Sequence, residues 1–337
     1  TTFAAKAGID ASKLNREEYI VRTAGDSLIL TGGKASGIRY SVYEFFEKAG
    51  KCEWFDGFTV QIPKTEKFVL PELNIRHVPD FIYRKIYTQA FGIGGKYKTA
   101  LPLKFSNPND VIGSPGDVHT FYEYSKDWPK DNLALFTKNE RGKREIPRGQ
   151  IGPNFCLTNP ETAELVTKKL RGFIESNRAA SKRADAPNRF VYNISMNDCT
   201  RYFCLCKNCM AEAEKYNQSG LLLRFINKIA ENIKNDYPEI LVDTLAYEYT
   251  EQPPKGGVIP ADNVMIRLCR TRGDYFQPIE KDRNSGFGDD LKIWGGIGKN
   301  LSIWEYWVFY WDPYPAPYHN IHHIKQNFEL YRKLNVK

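Results

Sequence analysis

The stretch RFVYNISMNDCTRYFCLCKNC, residues 189–209, contains the pattern that decides the fold. Its first eight residues are largely apolar and predict a buried strand, and four cysteines then follow within eleven residues. Apolar residues at helical spacing predict a helix over 219–238, and ILVDTLAYEYT at 240–250 predicts the next strand. A strand, a helix and another apolar strand form the repeating unit of a parallel sheet covered by helices.

The same alternation continues on both sides of this unit. Further strands are predicted at 81–87, near 110–118, at the start of 153–177, and at 263–269 and 301–307, and further helices at 159–177, 287–297 and 321–336. The count of seven strands predicts an α/β protein with a TIM (β/α)8-type barrel that stops just short of strand 8. A doubly wound open sheet is the alternative, although no glycine-rich nucleotide loop follows the first strand.

A small α/β domain is predicted over 1–75, before a catalytic barrel over 76–337. EEYIVRT and SLILTGG read as two strands joined by a turn, and SGIRYSVYEFFEKAG reads as a helix. The predicted inward face of this helix consists of Ile38, Val42, Phe45 and Phe46. One hairpin and one helix bury little apolar surface, so the domain is expected to be partial.

Composition limits the classes of function. The 337-residue chain carries a net charge of +8, but its Lys and Arg are scattered among acids, so nucleic acid is not an expected partner. No apolar run approaches the roughly 20 residues of a membrane span, so no transmembrane segment is predicted. We expect no cofactor. The chain starts without Met, as a processed product would, and we expect an exported protein, periplasmic or at the cell surface of a bacterium.

Polar and aromatic side chains follow the predicted strands. In a parallel barrel the carboxyl ends of the strands form one rim, where catalytic residues lie. The acids at this rim are Asp198, Glu248 and Glu305, which we predict to be catalytic. The predicted substrate-binding residues are Asn197, Arg84, His119, Tyr247, Arg267, Trp304 and Tyr306. Paired carboxyl groups surrounded by aromatic rings suit glycoside hydrolysis, and a structural ion pair at a strand end is the alternative for each acid.

Several segments together resemble a known family. They are FCLTNPETAELV, SMNDC with FCLCKNC, LLLRFINKIAENIKNDYPEILVDTLAYEYTEQPP, NVMIRLC and IWEYW. The family is DUF4838, which has been classified as glycoside hydrolase family 163, endo-β-N-acetylglucosaminidases that act on complex N-glycans. The leading segment GGKASGIRYSVYEFFEKAGKCEWF resembles the small α/β domain that precedes the barrel in hexosaminidase-like and α-glucuronidase-like enzymes.

The resemblance implies a substrate and a mechanism. The partner would be an oligosaccharide or glycoprotein glycan, cleaved in its GlcNAc-β1,4-GlcNAc core with retention, and the substrate's own acetamide would act as the nucleophile. Asn197 would hold the acetamide and Asp198 would be the acid/base; Glu305 as a direct nucleophile and Glu248 as the acid remain alternatives. An exo-acting hexosaminidase or glucuronidase and a noncatalytic glycan-binding protein are the alternative functions.

The chemical state of the seven cysteines is a separate prediction. Structural thiols, bonded or reduced, are expected, and no metal is predicted. The alternative is a structural zinc ion or a disulfide at Cys199, Cys204, Cys206 and Cys209, since four thiolates can bind zinc. Cys52, Cys156 and Cys269 are predicted to be buried thiols.

Overall fold

The computed structural model describes residues 3–55, 59–86, 104–106, 108–307 and 319–337. The chain forms two compact units, Thr1–Asp110 and Val111–Lys337. The division predicted at residues 75 and 76 stays a prediction. No helix among the described residues is both long and apolar enough to span a membrane.

The first unit contains a three-stranded antiparallel sheet. Its elements, in chain order, are α1 Phe3–Lys6, β1 Tyr19–Ala24, β2 Ser27–Gly32, α2 Ala35–Lys48, β3 Glu53–Trp54, β4 Val60–Gln61 and β5 Asn74–His77. The sheet has the order β2-β1-β5, and β3 and β4 form a separate antiparallel pair. The predicted hairpin and helix are therefore confirmed.

The buried face of helix α2 differs in part from the predicted one. Ile38 and Phe46 are largely exposed, whereas the buried side consists of Ser36, Gly37, Tyr40, Ser41 and Glu44. A Cβ atom added at Gly32 would lie 2.3 Å from the carbonyl carbon of Gly37, so strand β2 and the helix pack backbone against backbone. Only small residues permit this approach, and the contact sets the rotation of the helix. The apolar pattern was therefore wrong for Ile38 and Phe46, whereas Phe45 packs against the core of the sheet as predicted.

The second unit is built on a parallel sheet. The strands β8 Val191–Asn193, β9 Leu241–Ala246, β10 Val264–Cys269 and β11 Asn300–Trp304 lie side by side in sequence order. The other elements are α3 Pro108–Val111, α4 Phe121–Ser125, β6 Thr137–Lys138, β7 Arg144–Glu145, α5 Pro160–Arg183, α6 Lys207–Ile233, α7 Phe287–Ile297 and α8 Ile324–Lys333. The protein is therefore a mixed α/β protein with a parallel sheet; closure into a barrel stays a prediction.

The predicted strands before residue 189 are not formed as expected. Residues 81–86 are irregular, and Phe155 makes only an isolated bridge with Phe136. Ile112 makes an isolated parallel bridge with Val191, which places the 110–118 segment beside β8. The apolar residues near 155 are buried by ring packing instead: Phe155 stacks on Phe121 with centroids 4.1 Å apart.

The helix boundaries follow their caps. Helix α5 begins after Asn159, whose Oδ1 accepts a hydrogen bond from the Glu161 amide at 3.0 Å, as predicted. The α6 segment Lys207–Ile233 consists of two helical stretches separated by a kink at Asn217, whose φ of 58° and ψ of −178° are not helical. Cys206 caps the first stretch. Asn217 Oδ1 accepts from the Gly220 amide at 2.9 Å, so the second stretch begins close to the predicted start at residue 219. The cysteine segment is thus part of the helix start as well as of the preceding loop.

Candidate active site

The loop after β8 fixes the backbone of Asp198 and leaves its carboxyl group open. The Asp198 amide donates to the Gln150 carbonyl at 2.7 Å, and the Gly152 amide donates to the Asp198 carbonyl at 3.3 Å. The side chain of Asp198 is 48% exposed. A carboxyl group on an anchored backbone, reachable from solvent, can meet a ligand with little loss of entropy.

The loop after β9 presents Tyr247 and Glu248. Tyr247 precedes the short 3-10 helix Glu248–Thr250, and its amide and carbonyl both bond to the Thr250 hydroxyl. Glu248 has a φ of 51°, in the left-handed region that non-glycine residues rarely adopt. Such strain persists where surrounding contacts impose it and is frequent at active sites.

Two side chains, those of Tyr247 and His119, meet at the Asp198 carboxylate. The Tyr247 hydroxyl donates to Asp198 Oδ1 at 3.1 Å, and His119 Nε2 lies 3.9 Å from the same oxygen. His119 Nδ1 is 3.0 Å from the Met196 carbonyl, which can only accept, so Nδ1 carries a proton. The His119 and Tyr247 rings are edge to face with centroids 5.5 Å apart. The structure thus brings together His119, Asp198, Tyr247 and Glu248, all of them predicted site residues.

The two carboxyl groups are electrostatically coupled. Burial raises the pKa of Glu248, and the charge of Asp198 raises it further. Burial also raises the pKa of Tyr247, as do the charges of both acids. Glu248 therefore keeps its proton to higher pH than an exposed glutamate does, which suits a general acid.

Asn197 is committed to the loop itself. It is fully buried, its Oδ1 accepts from the Tyr122 amide at 2.9 Å, and its Nδ2 donates to the Pro153 carbonyl at 2.6 Å. Both ends of the amide are occupied inside the protein. Its geometry therefore supports a role in holding the loop, and not the predicted hydrogen bond to a substrate acetamide.

Glu305 belongs to a buried ion pair. Its Oε1 lies 3.2 Å from Arg270 Nη1, its Oε2 accepts from the Tyr331 hydroxyl, and its side chain is 9% exposed. Burial raises the pKa of Glu305 and outweighs the opposing effect of Arg270. This arrangement matches the structural alternative that the sequence left open. Trp304 and Tyr306, on either side, are partly exposed, with centroids 6.5 Å apart.

Arg267 lies within the sheet. Its Nη2 donates to Asp243 Oδ2 at 2.7 Å and its Nη1 to the Asp117 carbonyl at 2.8 Å, and Asn193 Nδ2 donates to the same Asp243 oxygen at 2.6 Å. Arg267 is 4% exposed, so its contacts favour support of the rim over direct contact with substrate. Asn193, Asp243 and Arg270 were not among the predicted site residues, although charged or amide side chains inside or directly after apolar strands were a usable signal.

Arg84 lies in the first unit and is engaged there. Its guanidinium pairs with Glu17 Oε2 at 2.8 Å and donates to the Lys104 carbonyl at 2.7 Å and the Phe81 carbonyl at 2.6 Å. These contacts give Arg84 a structural role within its unit. Its predicted part in binding substrate stays a prediction.

An open cleft of about 490 Å³ lies between the loop that follows β10 and the short 3-10 helix His319–His323, which comes after β11. Its lining residues are Gly273, Asp274, Tyr275, Phe276, Asn284, Ser285 and His319. Phe276 is 64% exposed and stacks on His319, with centroids 4.1 Å apart. The cleft therefore offers an exposed aromatic surface to solvent, and none of its lining residues was among the predicted site residues.

The cysteine group differs from the predicted one in one member. The sulfur atoms of Cys156, Cys204, Cys206 and Cys209 all lie within 4.8 Å of one another. Cys199 instead accepts a hydrogen bond from Asn154 Nδ2 at 3.4 Å. All seven cysteines are free, so the disulfide that the sequence left open as an alternative is not formed, and the burial predicted for Cys52, Cys156 and Cys269 is confirmed. Cys156 comes from the segment before α5, which local spacing could not connect to the loop.

Comparison with known proteins gives the family. No curated protein matches the chain. The family described as "Domain of unknown function (DUF4838)" matches residues 54–337, which is most of the sequence. The chain therefore belongs to the DUF4838 family.

Proposed function

We propose that the protein is a glycoside hydrolase, an endo-β-N-acetylglucosaminidase that cleaves GlcNAc-β1,4-GlcNAc in the core of complex N-glycans. The observation that carries the proposal is the Asp198 carboxylate, which accepts from Tyr247 and raises the pKa of Glu248. Two coupled carboxyl groups with different environments are the equipment of glycosidic cleavage. The resemblance to family 163 supplies the substrate class.

The scaffold supports a rim of this kind. Parallel strands that lie side by side in sequence order, with α6 between β8 and β9 and α7 between β10 and β11, are the arrangement of consecutive (β/α) units. We propose that these units belong to a (β/α)8-type barrel, preceded by a hexosaminidase-like small domain. In such barrels the loops at the carboxyl ends of the strands hold the catalytic residues. Asp198, Glu248 and the aromatic cleft all lie on loops of this kind.

The geometry favours Glu248 as the general acid. Its raised pKa keeps a proton available for the leaving oxygen, and its strained backbone fixes the direction of the side chain. Asp198 then holds and polarises the acetamide whose oxygen attacks the anomeric carbon. Tyr247 orients Asp198 through its hydroxyl. This exchanges the roles implied by the resemblance, in which Asp198 was the acid.

The proposed mechanism does not require a catalytic role for Glu305. A direct carboxylate nucleophile must reach the anomeric carbon from the face opposite the acid, with the two carboxyl groups about 5 to 5.5 Å apart. Glu305 is instead held by Arg270 and Tyr331 and is nearly buried. An acetamide nucleophile removes the need for it, and retention of configuration then follows from two successive inversions.

The aromatic cleft suits the remaining sugars of a long substrate. Phe276 and His319 present a stacked pair of rings, and apolar sugar faces pack on such rings. An open cleft accommodates a chain that continues on both sides of the cleaved bond, which favours endo-action over removal of a terminal sugar. N-glycoproteins of this kind occur outside the cytoplasm, so an exported bacterial location belongs to the same proposal.

The test is to incubate the protein with a glycoprotein that carries complex N-glycans and to weigh both products. The expected result is a protein that retains one GlcNAc at each cleaved site and a released glycan shorter by one GlcNAc. Glu248→Gln and Asp198→Asn should abolish most turnover, whereas Glu164→Gln, on an exposed position of α5, should not.

Other products would contradict the proposal. Release of single terminal sugars would identify an exo-acting enzyme. Retention of the glycan on the protein, without any cleavage, would identify a glycan-binding protein. A covalent sugar ester trapped on Glu305 would overturn the substrate-assisted mechanism while leaving glycosidase activity intact.

A further inference from the structure

Four of the six cysteines in the second unit, Cys156, Cys204, Cys206 and Cys209, form a compact group that the proposed hydrolysis does not use. Cys156 Sγ lies 3.7 Å from Cys206 Sγ and 3.7 Å from Cys209 Sγ, and all four sulfur atoms lie within 4.8 Å of one another. A disulfide would bring two sulfur atoms to about 2.05 Å. The group is therefore four separate thiols that converge on one point.

These separations are the ones that a tetrahedral metal site requires. With metal–sulfur bonds of about 2.3 Å, the edge of a regular tetrahedron of sulfur atoms is about 3.8 Å. The Cys156–Cys206 and Cys156–Cys209 separations, both 3.7 Å, agree with that edge. A cluster of several iron atoms would hold the sulfur atoms farther apart than a single ion does.

The surroundings stabilise thiolates. The Lys138 amide donates to Cys204 Sγ at 3.3 Å, and the Cys209 amide donates to Cys206 Sγ at 3.5 Å. Thr158 Oγ1 lies 3.1 Å from Cys209 Sγ and can donate to it. Arg144 Nη1, at 3.7 Å from Cys204 Sγ, adds positive charge beside the group. Donors aimed at sulfur are the usual outer contacts of thiolate ligands and fix their direction.

We propose that Cys156, Cys204, Cys206 and Cys209 bind one structural zinc ion. Four thiol protons leave to solvent as the four Zn–S bonds form, so the closed site carries a net charge of −2, which Arg144 and the amide donors partly offset. With four protein ligands the zinc has no open position, so its role is structural. This proposal does not depend on the proposed hydrolysis.

The zinc would tie the candidate active site to the helices. Cys156 lies two residues after Asn154, whose Oδ1 accepts from the Asn197 amide at 2.8 Å, and Cys204 ends the loop that starts after Asp198. The ion would close this loop against the starts of α5 and α6. Its removal should therefore loosen residues 197–206 before it affects β11.

The experiment is metal analysis of the protein purified without chelators. We expect about one zinc ion per chain, and X-ray absorption should give four sulfur neighbours at about 2.3 Å. Cys156→Ser and Cys209→Ser should lose most of the zinc. Cys199→Ser, a buried cysteine of the same loop outside the group, should retain it.

A second measurement needs no variant. Titration of the native protein with an organic mercurial should release the zinc as about four thiols react, and hydrogen exchange should then rise in 197–206 more than in β11. Protein without stoichiometric metal, iron in place of zinc, or a disulfide within the group in peptide mapping would each overturn the assignment. Zinc retained by Cys156→Ser would do so as well.

Discussion

Two glutamates, Glu248 and Glu305, stand just after parallel strands, and burial raises the pKa of both. Their neighbours differ. Glu248 faces a second carboxyl group, that of Asp198, whereas Glu305 faces the buried guanidinium of Arg270. A neighbouring acid adds to the effect of burial on the pKa of Glu248, whereas a neighbouring arginine opposes that effect on the pKa of Glu305 and holds the carboxyl group in the framework. The sign of the neighbouring charge therefore separates a reactive carboxyl group from a structural one.

The largest effect should come from Glu248→Gln. If Glu248 protonates the leaving oxygen, loss of its proton should lower kcat for natural glycans by about 10²- to 10⁴-fold, while the fold stays intact. The check is turnover of a complex-type glycopeptide together with the thermal midpoint. Should Glu305→Gln lower kcat as strongly at unchanged stability, the distinction between the two glutamates would be lost.

Arg270→Met should act on stability. It leaves Glu305 buried without its cation, and removal of one partner of a buried pair costs about 3–5 kcal/mol in the free energy of unfolding. Denaturant titration measures this loss. Arg283→Met, at an exposed position, should stay within about 0.5 kcal/mol of the parent.

A double variant tests whether Arg270 stabilises the fold mainly through its ion pair with Glu305. Arg270→Met with Glu305→Leu removes both charges, and replacement of a buried ion pair by apolar residues is often neutral. We expect it to recover part of the stability lost in Arg270→Met, because the buried Asp282 carboxylate, which lies 4.0 Å from Arg270 Nη2, still lacks this cation. Equal instability of the two variants would show that Arg270 acts through its other contacts, such as the Tyr275 ring 4.4 Å away.

Tyr247→Phe should have a smaller effect on catalysis. It removes the hydroxyl that holds Asp198 Oδ1 but keeps the ring against His119. The loss of one hydrogen bond to a charged group, worth about 1.5–3 kcal/mol, predicts a fall in kcat of roughly 10- to 150-fold, less than that of the acid itself. Binding of a thiazoline mimic of the cyclised acetamide, measured by calorimetry, should weaken in parallel. Unchanged binding would place Tyr247 outside the acetamide site.

The smallest effect is on the pH profile. Glu248 has a folded-state pKa above its ordinary value of 4.5, so its proton adds stability that is fully present below pH 4.5 and is lost as the pH rises through the folded value. The alkaline limb of kcat/KM should report the same folded pKa. Asp198→Asn removes the neighbouring charge and should move that limb to lower pH, which residual activity on an activated aryl glycoside can follow. A limb that does not move would mean that the two acids are not coupled.

The sequence determined the local elements. Alternation of apolar strands and amphipathic helices predicted the parallel strands from 191 to 304, and Asn159 with Pro160 predicted the start of α5. The motif segments also predicted the family. These features depend on residues within one turn or one strand of each other, so their periodicity and capping can be read directly from neighbouring letters.

The tertiary structure decided which distant residues meet. In the folded chain Cys156, and not Cys199, is the fourth member of the sulfur group. Helix α2 packs on the sheet through its small residues, and Glu305 forms an ion pair with Arg270. The side-chain amide of Asn197 is likewise hydrogen-bonded at both ends to backbone groups of the protein. None of these outcomes follows from local periodicity, because each depends on close packing between segments that are far apart in the chain, and the charge of a distant neighbour decides what an acid can do.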